Sequence, residues 1–195
     1  SSAAETIGQI IAKADKVFEE LSPEAILILG DTNSSLAAIP AKRRKIPIFH
    51  MEAGNRCFDF RVPEELNRKI VDHASDINLT YSQIARNYLL NEGFPADQVI
   101  HTGSPMKEVL DYYANSIEDS KIHKQLGITP QEYFLVSTHR EENVDSPKNL
   151  KKILDILNSL ANDYNKTVIV STHPRTKERL KDSKFKTDPL VKFLK

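Results

Sequence analysis

The sequence predicts an α/β protein, on three observations. Short apolar runs of strand length recur along the chain, apolar residues between them recur at helical spacing, and strand and helix alternate in two groups. The first group is expected to hold four strands. Three of them read directly as Ala25–Leu29 (AILIL), Ile46–His50 (IPIFH) and Ile77–Thr80 (INLT). The second group holds Tyr133–Ser137 (YFLVS) and Thr167–Ser171 (TVIVS), and Phe193–Lys195 reads as the opening of a further strand. Near-continuous apolar runs of this kind fit parallel strands buried on both faces. Leu66, Ile70, Val71 and Ala74 share one helical face, as do Ile84, Ala85, Tyr88 and Leu89, and then Leu150, Ile153, Leu154, Leu157 and Leu160. Leu110–Thr129 carries charge and two tyrosines but little strand signal, which places a domain junction there and divides the chain into 1–110 and 111–195. By strand count neither domain is expected to be complete.

Composition narrows the function. The 195 residues are 39% hydrophobic and 28% charged, with 27 basic residues against 27 acidic ones, which fits neither a disordered chain nor a strongly basic nucleic-acid binder, and no nucleic-acid partner is expected. No apolar run approaches the roughly 18–20 residues that span a bilayer, and Ser1–Ala4 lacks the features of a secretory signal. A cytoplasmic protein with no membrane partner is expected. The single cysteine, Cys57, rules out an internal disulfide and a thiolate metal cluster, and no histidine pair has metal-ligand spacing. Gly-x-Gly-x-x-Gly and Walker loops are absent, which disfavours nicotinamide and P-loop chemistry.

In open α/β sheets ligands bind beyond the carboxyl ends of the strands. Ala25–Leu29 runs into Gly30-Asp31-Thr32, Ile46–His50 into Met51-Glu52-Ala53-Gly54, and Tyr133–Ser137 into Thr138-His139-Arg140. Two acids and a histidine therefore stand at three strand ends. Glu64 is a further candidate, because Pro63 suits the first position of a helix running to about Ala74. Asn67 and Arg68, three and four residues on, share its face. Each candidate has a plainer reading. Asp31 fits an N-cap ahead of a helix over Ser34–Ala41, Glu64 and Arg68 fit a surface pair worth a few tenths of a kcal/mol, and His139 fits a structural histidine. Glu52, in an apolar run, favours a buried functional carboxylate. His50 and His101 read as core or strand-end residues and His73 and His123 as solvated ones, while His173-Pro174-Arg175 repeats the strand-then-histidine theme weakly.

Five segments occur in an order that resembles a known family. They are Gly30-Asp31-Thr32, His50-Met51-Glu52-Ala53-Gly54-Asn55-Arg56, Pro63-Glu64-Glu65-x-Asn67-Arg68, Thr102-Gly103-Ser104-Pro105 and Thr138-His139-Arg140-x-Glu142-Asn143. Their order is that of the non-hydrolysing UDP-N-acetylglucosamine 2-epimerases. The variants over Met51–Asp59, Arg61–His73 and Thr102–Leu110 resemble the capsule and O-antigen branch that makes UDP-N-acetyl-L-fucosamine from its C2 epimer, UDP-N-acetyl-6-deoxy-L-talosamine.

The resemblance implies two Rossmann-like domains in a GT-B-like arrangement. The family's Gly-Thr-Arg-Pro-Glu turn and Ser-Gly-Gly loop are absent, so a central fragment is expected, inactive by itself. It further implies Asp31, Glu52, Glu64 and His139 as the catalytic set. Arg56, Asn67, Arg68, Arg140, Glu142 and His173 would contact substrate or orient the acids. A UDP-sugar is the implied partner, in a homodimer needing neither metal nor cofactor. The alternatives are the UDP-GlcNAc/UDP-ManNAc epimerase and a GT-B-type glycosyltransferase.

Overall fold

A computed structural model describes residues 2–138, 146–172 and 186–194. The chain divides into two compact units, Ser1–Tyr112 and Tyr113–Lys195, and the division falls inside the Leu110–Thr129 stretch.

The first unit opens with a helix, α1 (Ala3–Leu21). Its start is set by a capping box in which the Glu5 N–H donates to Ser2 Oγ at 3.1 Å and the Ser2 N–H donates to Glu5 Oε2 at 3.3 Å. The chain then runs β1 (Ile26–Leu29), a 3₁₀ turn (Asn33–Ala37), α2 (Ala38–Arg43), β2 (Ile48–Met51), α3 (Pro63–Ala74), β3 (Ile77–Thr80), α4 (Gln83–Asn91), β4 (Val99–His101) and α5 (Met106–Tyr112). The four strands are parallel and ordered β1-β2-β3-β4. Strand β2 starts two residues later than expected and ends one later. Ile46 is engaged by its N–H with the Ala41 carbonyl at the end of α2, and pairing continues through Met51 opposite Leu29.

Alternation along the strands gives the sheet two different faces. Ile26, Ile28 and Ile48 pack with Leu36, Ala38, Ala41 and Val71, and with Ile7 and Phe18 of α1. Val99 packs with Leu89 of α4 and with Ala53. The opposite face carries Leu27, Leu29, Phe49 and Ile100, all exposed. Helix α3 follows from its sequence, with Pro63 at its first position and Val71 buried at helical spacing from Asn67. It stops at Ser75, after which Asp76 ties back to β2: its N–H donates to the Ile48 carbonyl and its carboxylate accepts from the Ile48 N–H at 2.9 Å.

The second unit holds α6 (Ala114–Glu118), α7 (Ile122–Leu126), β5 (Tyr133–Ser137), α8 (Pro147–Tyr164), β6 (Thr167–Ser171) and β7 (Val191–Leu194). Its three parallel strands lie in the order β5-β6-β7. Leu150, Leu154, Leu157 and Ala161 of α8 form a stripe that packs on Val168, Val170 and Val191. His123 is not solvated as the sequence suggested, because its Nε2 lies 3.2 Å from the Tyr133 hydroxyl and its ring packs against the phenol. No described helix is long and apolar enough to cross a membrane.

Gly54 and Gly93 both have positive φ, +79° and +97°, but in different surroundings. A Cβ at Gly54 would lie 2.5 Å from the Ala85 carbonyl oxygen, whereas one at Gly93 would meet nothing within 4 Å. Gly93→Ala is expected to cost about 1–2 kcal/mol, the strain of the left-handed backbone alone. Gly54→Ala adds a backbone collision and is expected to cost roughly 3–4 kcal/mol. Urea unfolding of the two variants measures the difference, and equal losses would contradict the close approach of α4 to the Gly54 turn.

Candidate active site

The carboxyl end of the first sheet gathers its acids through backbone geometry. Beyond β1 the chain turns at Gly30 (φ +73°) into Asp31, and beyond β2 it turns at Glu52, itself left-handed at φ +67°. A non-glycine residue there costs about 1–2 kcal/mol, so the neighbours must hold it. They do so on both sides: the Gly30 N–H donates to the Met51 carbonyl at 3.1 Å and the Ala53 N–H to the Leu79 carbonyl at 3.2 Å. The Glu52 carboxylate folds back over Gly30, its Oε2 3.6 Å from where a Cβ on that glycine would stand. Glu52 is thus half-buried beside the residue that carries Asp31. The Asn55 side chain reaches toward it, Nδ2 to Oε1 at 3.5 Å.

Asp31 is not an N-cap. The 3₁₀ turn that follows starts from Thr32 without a side-chain cap, and the Asp31 carboxylate instead accepts from Arg68 Nε at 2.7 Å. Asn67 Nδ2 donates to the Asp31 carbonyl and to Asn33 Oδ1, both at 3.0 Å. Asn67 and Arg68 of α3 therefore grip Asp31 by main chain and side chain. Burial works against the Arg68 charge, but Asp31 and Glu65 more than offset it and hold the guanidinium above its ordinary range.

One expected pairing is corrected. The acid partner of Arg68 on α3 is Glu65, not Glu64: Arg68 Nη1 donates to Glu65 Oε2 at 2.9 Å, while Glu64 is exposed in the opening turn. Glu65 is fully buried and also accepts from the main-chain N–H groups of Cys57 and Phe58 and from the Cys57 thiol. Burial pushes its carboxyl up, but these donors and Arg68 outweigh that and leave it below the usual carboxylate range. Glu65 thus secures the 57–58 segment to α3. Glu64 stays on the stripe of Asn67 and Arg68 by helical spacing, open to solvent.

Arg56 departs from its expected contact with substrate. Its side chain is wholly buried, with Nη1 on Asp72 Oδ2 at 2.7 Å and on the Asn55 carbonyl, and Nε and Nη2 on the Glu92 carboxylate at 2.7 Å each. Burial opposes its charge, but Glu92 and Asp72 hold it strongly protonated. A guanidinium so engaged is a strut for the Glu52 turn rather than a phosphate ligand. Asp72 also accepts from the Gly54 N–H at 3.2 and 3.3 Å and lies 2.8 Å from His50 Nδ1. Tyr81, just beyond β3, has its phenol pushed up by burial and by the Glu52 charge, so it keeps its proton beside that acid. Glu65, Asp72 and Tyr81 escape a reading of the sequence; the second acid of Pro63-Glu64-Glu65 and the strand-end place of Tyr81 are the signals available. His139, Arg140, Glu142 and His173 lie outside the described residues. Among the described residues no group of three or more His, Cys, Asp or Glu side chains is placed to hold a metal ion.

A carboxyl lowered in the folded state contributes stability above the ordinary carboxylate range and loses it as pH falls toward the folded value. Unfolding free energy measured from about pH 7 down to about pH 3 should therefore fall, and fall less steeply in Glu65→Gln, which no longer titrates there. Parallel slopes for the two proteins would contradict the buried Glu65 cluster.

Comparison with known proteins places this geometry. The family model described as UDP-N-acetylglucosamine 2-epimerase matches residues 1–195. A solved structure of UDP-N-acetylglucosamine 2-epimerase from Rickettsia bellii is 50% identical and superposes with a TM-score of 0.89, over all of this chain and 52% of that one. The Methanocaldococcus jannaschii UDP-GlcNAc 2-epimerase, solved in complex with UDP-GlcNAc and UDP, is 32% identical at a TM-score of 0.89, over all of this chain and 55% of that one. UDP-2,3-diacetamido-2,3-dideoxy-D-glucuronate 2-epimerase of Pseudomonas aeruginosa is 34% identical over 174 residues, 87% of this chain and 48% of that protein. The chain spans about half the length of the relatives it matches. With the match running from end to end and the strand-end acids in place, the chain belongs to the UDP-N-acetylglucosamine 2-epimerase family.

Proposed function

We propose that a protein of the relatives' full length carrying this sequence is a UDP-N-acetylhexosamine 2-epimerase. The observation that carries this is the placement of Asp31 and Glu52 at neighbouring strand ends, with Glu64 one turn along the helix stripe that grips Asp31. The C2 proton of such a sugar is not α to a carbonyl, so a carboxylate alone removes it too slowly. Breakage of the C1–O bond solves this. As UDP leaves with the bonding electron pair, positive charge develops at C1, a carboxylate takes the C2 proton, and a 2-acetamidoglycal forms. Return of UDP to C1, with protonation of C2 on the other face, gives the epimer. Nothing is oxidised overall.

The reaction needs acid and base groups for both faces of the ring, and Asp31, Glu52 and Glu64 supply them. His139 is assigned to the diphosphate or C1. Arg68 orients Asp31 and neutralises part of the local negative charge, and Asn67 fixes the turn. Arg140, Glu142 and His173 are assigned to substrate. The relatives' names differ in the sugar and agree on C2, which supports the reaction centre more strongly than the ring substituents. For the sugar, the Met51–Asp59 and Thr102–Leu110 variants support UDP-N-acetyl-6-deoxy-L-talosamine and UDP-N-acetyl-L-fucosamine, with UDP-GlcNAc and UDP-ManNAc as the alternative pair. The same resemblance supports a cytoplasmic homodimer that supplies surface-polysaccharide precursors.

Proton NMR of the full-length protein with each candidate UDP-sugar in heavy water tests this. The expected result is deuterium at C2 together with inversion, without any acceptor. Asp31→Asn, Glu52→Gln and Glu64→Gln should each slow exchange by about 10²–10⁴-fold while UDP still binds. Exchange that persists in all three variants, or consumption only when an acceptor is added, would overturn the assignment.

A further inference from the structure

His50 is fully buried in β2, and both of its ring nitrogens face oxygens. Nδ1 lies 2.8 Å from Asp72 Oδ1, and Nε2 lies 2.9 Å from the Gly30 carbonyl oxygen. A carbonyl oxygen only accepts, and so does an ionised carboxylate. A neutral imidazole has one N–H, so one of these contacts would set a nitrogen lone pair against an oxygen lone pair inside the core. Two N–H groups satisfy both. A proton on Asp72 instead would have to share a carboxylate whose oxygens already accept from Arg56 Nη1 at 2.7 Å and from the Gly54 N–H. Around this pair, Arg56 bridges Asp72 and Glu92, and His73 at 4.0 Å from Glu92 stands at the solvent edge.

We propose that His50 is a buried imidazolium and a positioning residue that locks the Gly30–Asp31 turn to the Glu52–Gly54 turn. One N–H holds the Gly30 carbonyl, next in the chain to Asp31. The other holds Asp72, which grips the Gly54 N–H and the Arg56 guanidinium on the far side of Glu52. The two acids thereby share one rigid support, reached from α3 through Asp72 and from β2 through His50. The catalytic consequence rests on the epimerase reading; the charge state and the lock do not.

The test uses the 195-residue chain and a full-length protein. Nitrogen–proton correlation spectra of the His50 imidazole at neutral pH should show a bonded proton on each ring nitrogen. A spectrum with one protonated and one bare nitrogen overturns the proposal. His50→Gln retains one donor and loses the charge. It should speed amide hydrogen exchange by about tenfold or more in both turns, at Gly30–Asp31 and at Ala53–Gly54, with α8 of the second unit as an unaffected internal reference. Faster exchange in one turn only, or in neither, overturns the lock. In the full-length protein the same variant should lower kcat roughly 10–100-fold with KM changed less than about threefold, the pattern of a displaced positioning group rather than lost binding. An unchanged kcat refutes the positioning role. Absence of C2 epimerisation in the unmodified protein refutes the functional reading and leaves the spectroscopic result standing.

Discussion

One stripe of α3 fixes the carboxyl ends of the first two strands. Glu64, Asn67, Arg68 and Asp72 follow one another at helical spacing, and three of the four are tied to turns from other strands. Asn67 and Arg68 hold the turn after β1, and Asp72 holds the turn after β2. Because a packed helix moves as a unit, the positions of Asp31 and Glu52 become a property of α3 rather than of two separate loops. The functional turns can then be short and, at Glu52, strained, since the strain is opposed from both sides.

The charges follow the same logic at a higher energetic stake. Asp72, Arg56, His50 and Glu65 are all removed from water, where a lone ion is penalised by several kcal/mol and a well-bonded set is tolerated. Each has partners: Glu65 has Arg68 and two main-chain N–H groups, and Asp72 has His50, Arg56 and the Gly54 N–H. Replacing one partner strands the others, so these networks give geometric specificity more than net stability. Asp31 and Glu52 differ from them in being only half-buried, at the edge of this buried frame.

Much of this was legible in the residues. The strand ends declare themselves because apolar runs stop at Gly30-Asp31 and at Glu52-Ala53-Gly54, and the rule that α/β sheets bind ligands at those ends then singles out the two acids. Pro63 announces α3, and its spacing aligns Glu64 with Arg68. Spacing does not decide between adjacent acids, however. Glu65 stands three residues before Arg68 and Glu64 four, and only the path of the 57–58 segment brings N–H donors to the former. Asp72 reads as an ordinary helical acid because its partners lie 16 to 22 residues away in sequence. Helix α1, not among the expected helices, carries both signals of one: an apolar stripe of Ile7, Ile11, Ala14 and Phe18 at helical spacing and the Ser2-x-x-Glu5 capping box. The left-handed backbone at Glu52 leaves no mark in composition at all.

The most direct measurement is a crystal structure of a full-length protein carrying this sequence with an unreacted UDP-sugar bound. Convergence of the acids on one hexose predicts carboxylate oxygens of Asp31, Glu52 or Glu64 within about 3–4 Å of C2, reaching it from both faces of the ring. A sugar ring seated elsewhere, with these side chains facing bulk water and C2 beyond their reach, would contradict it.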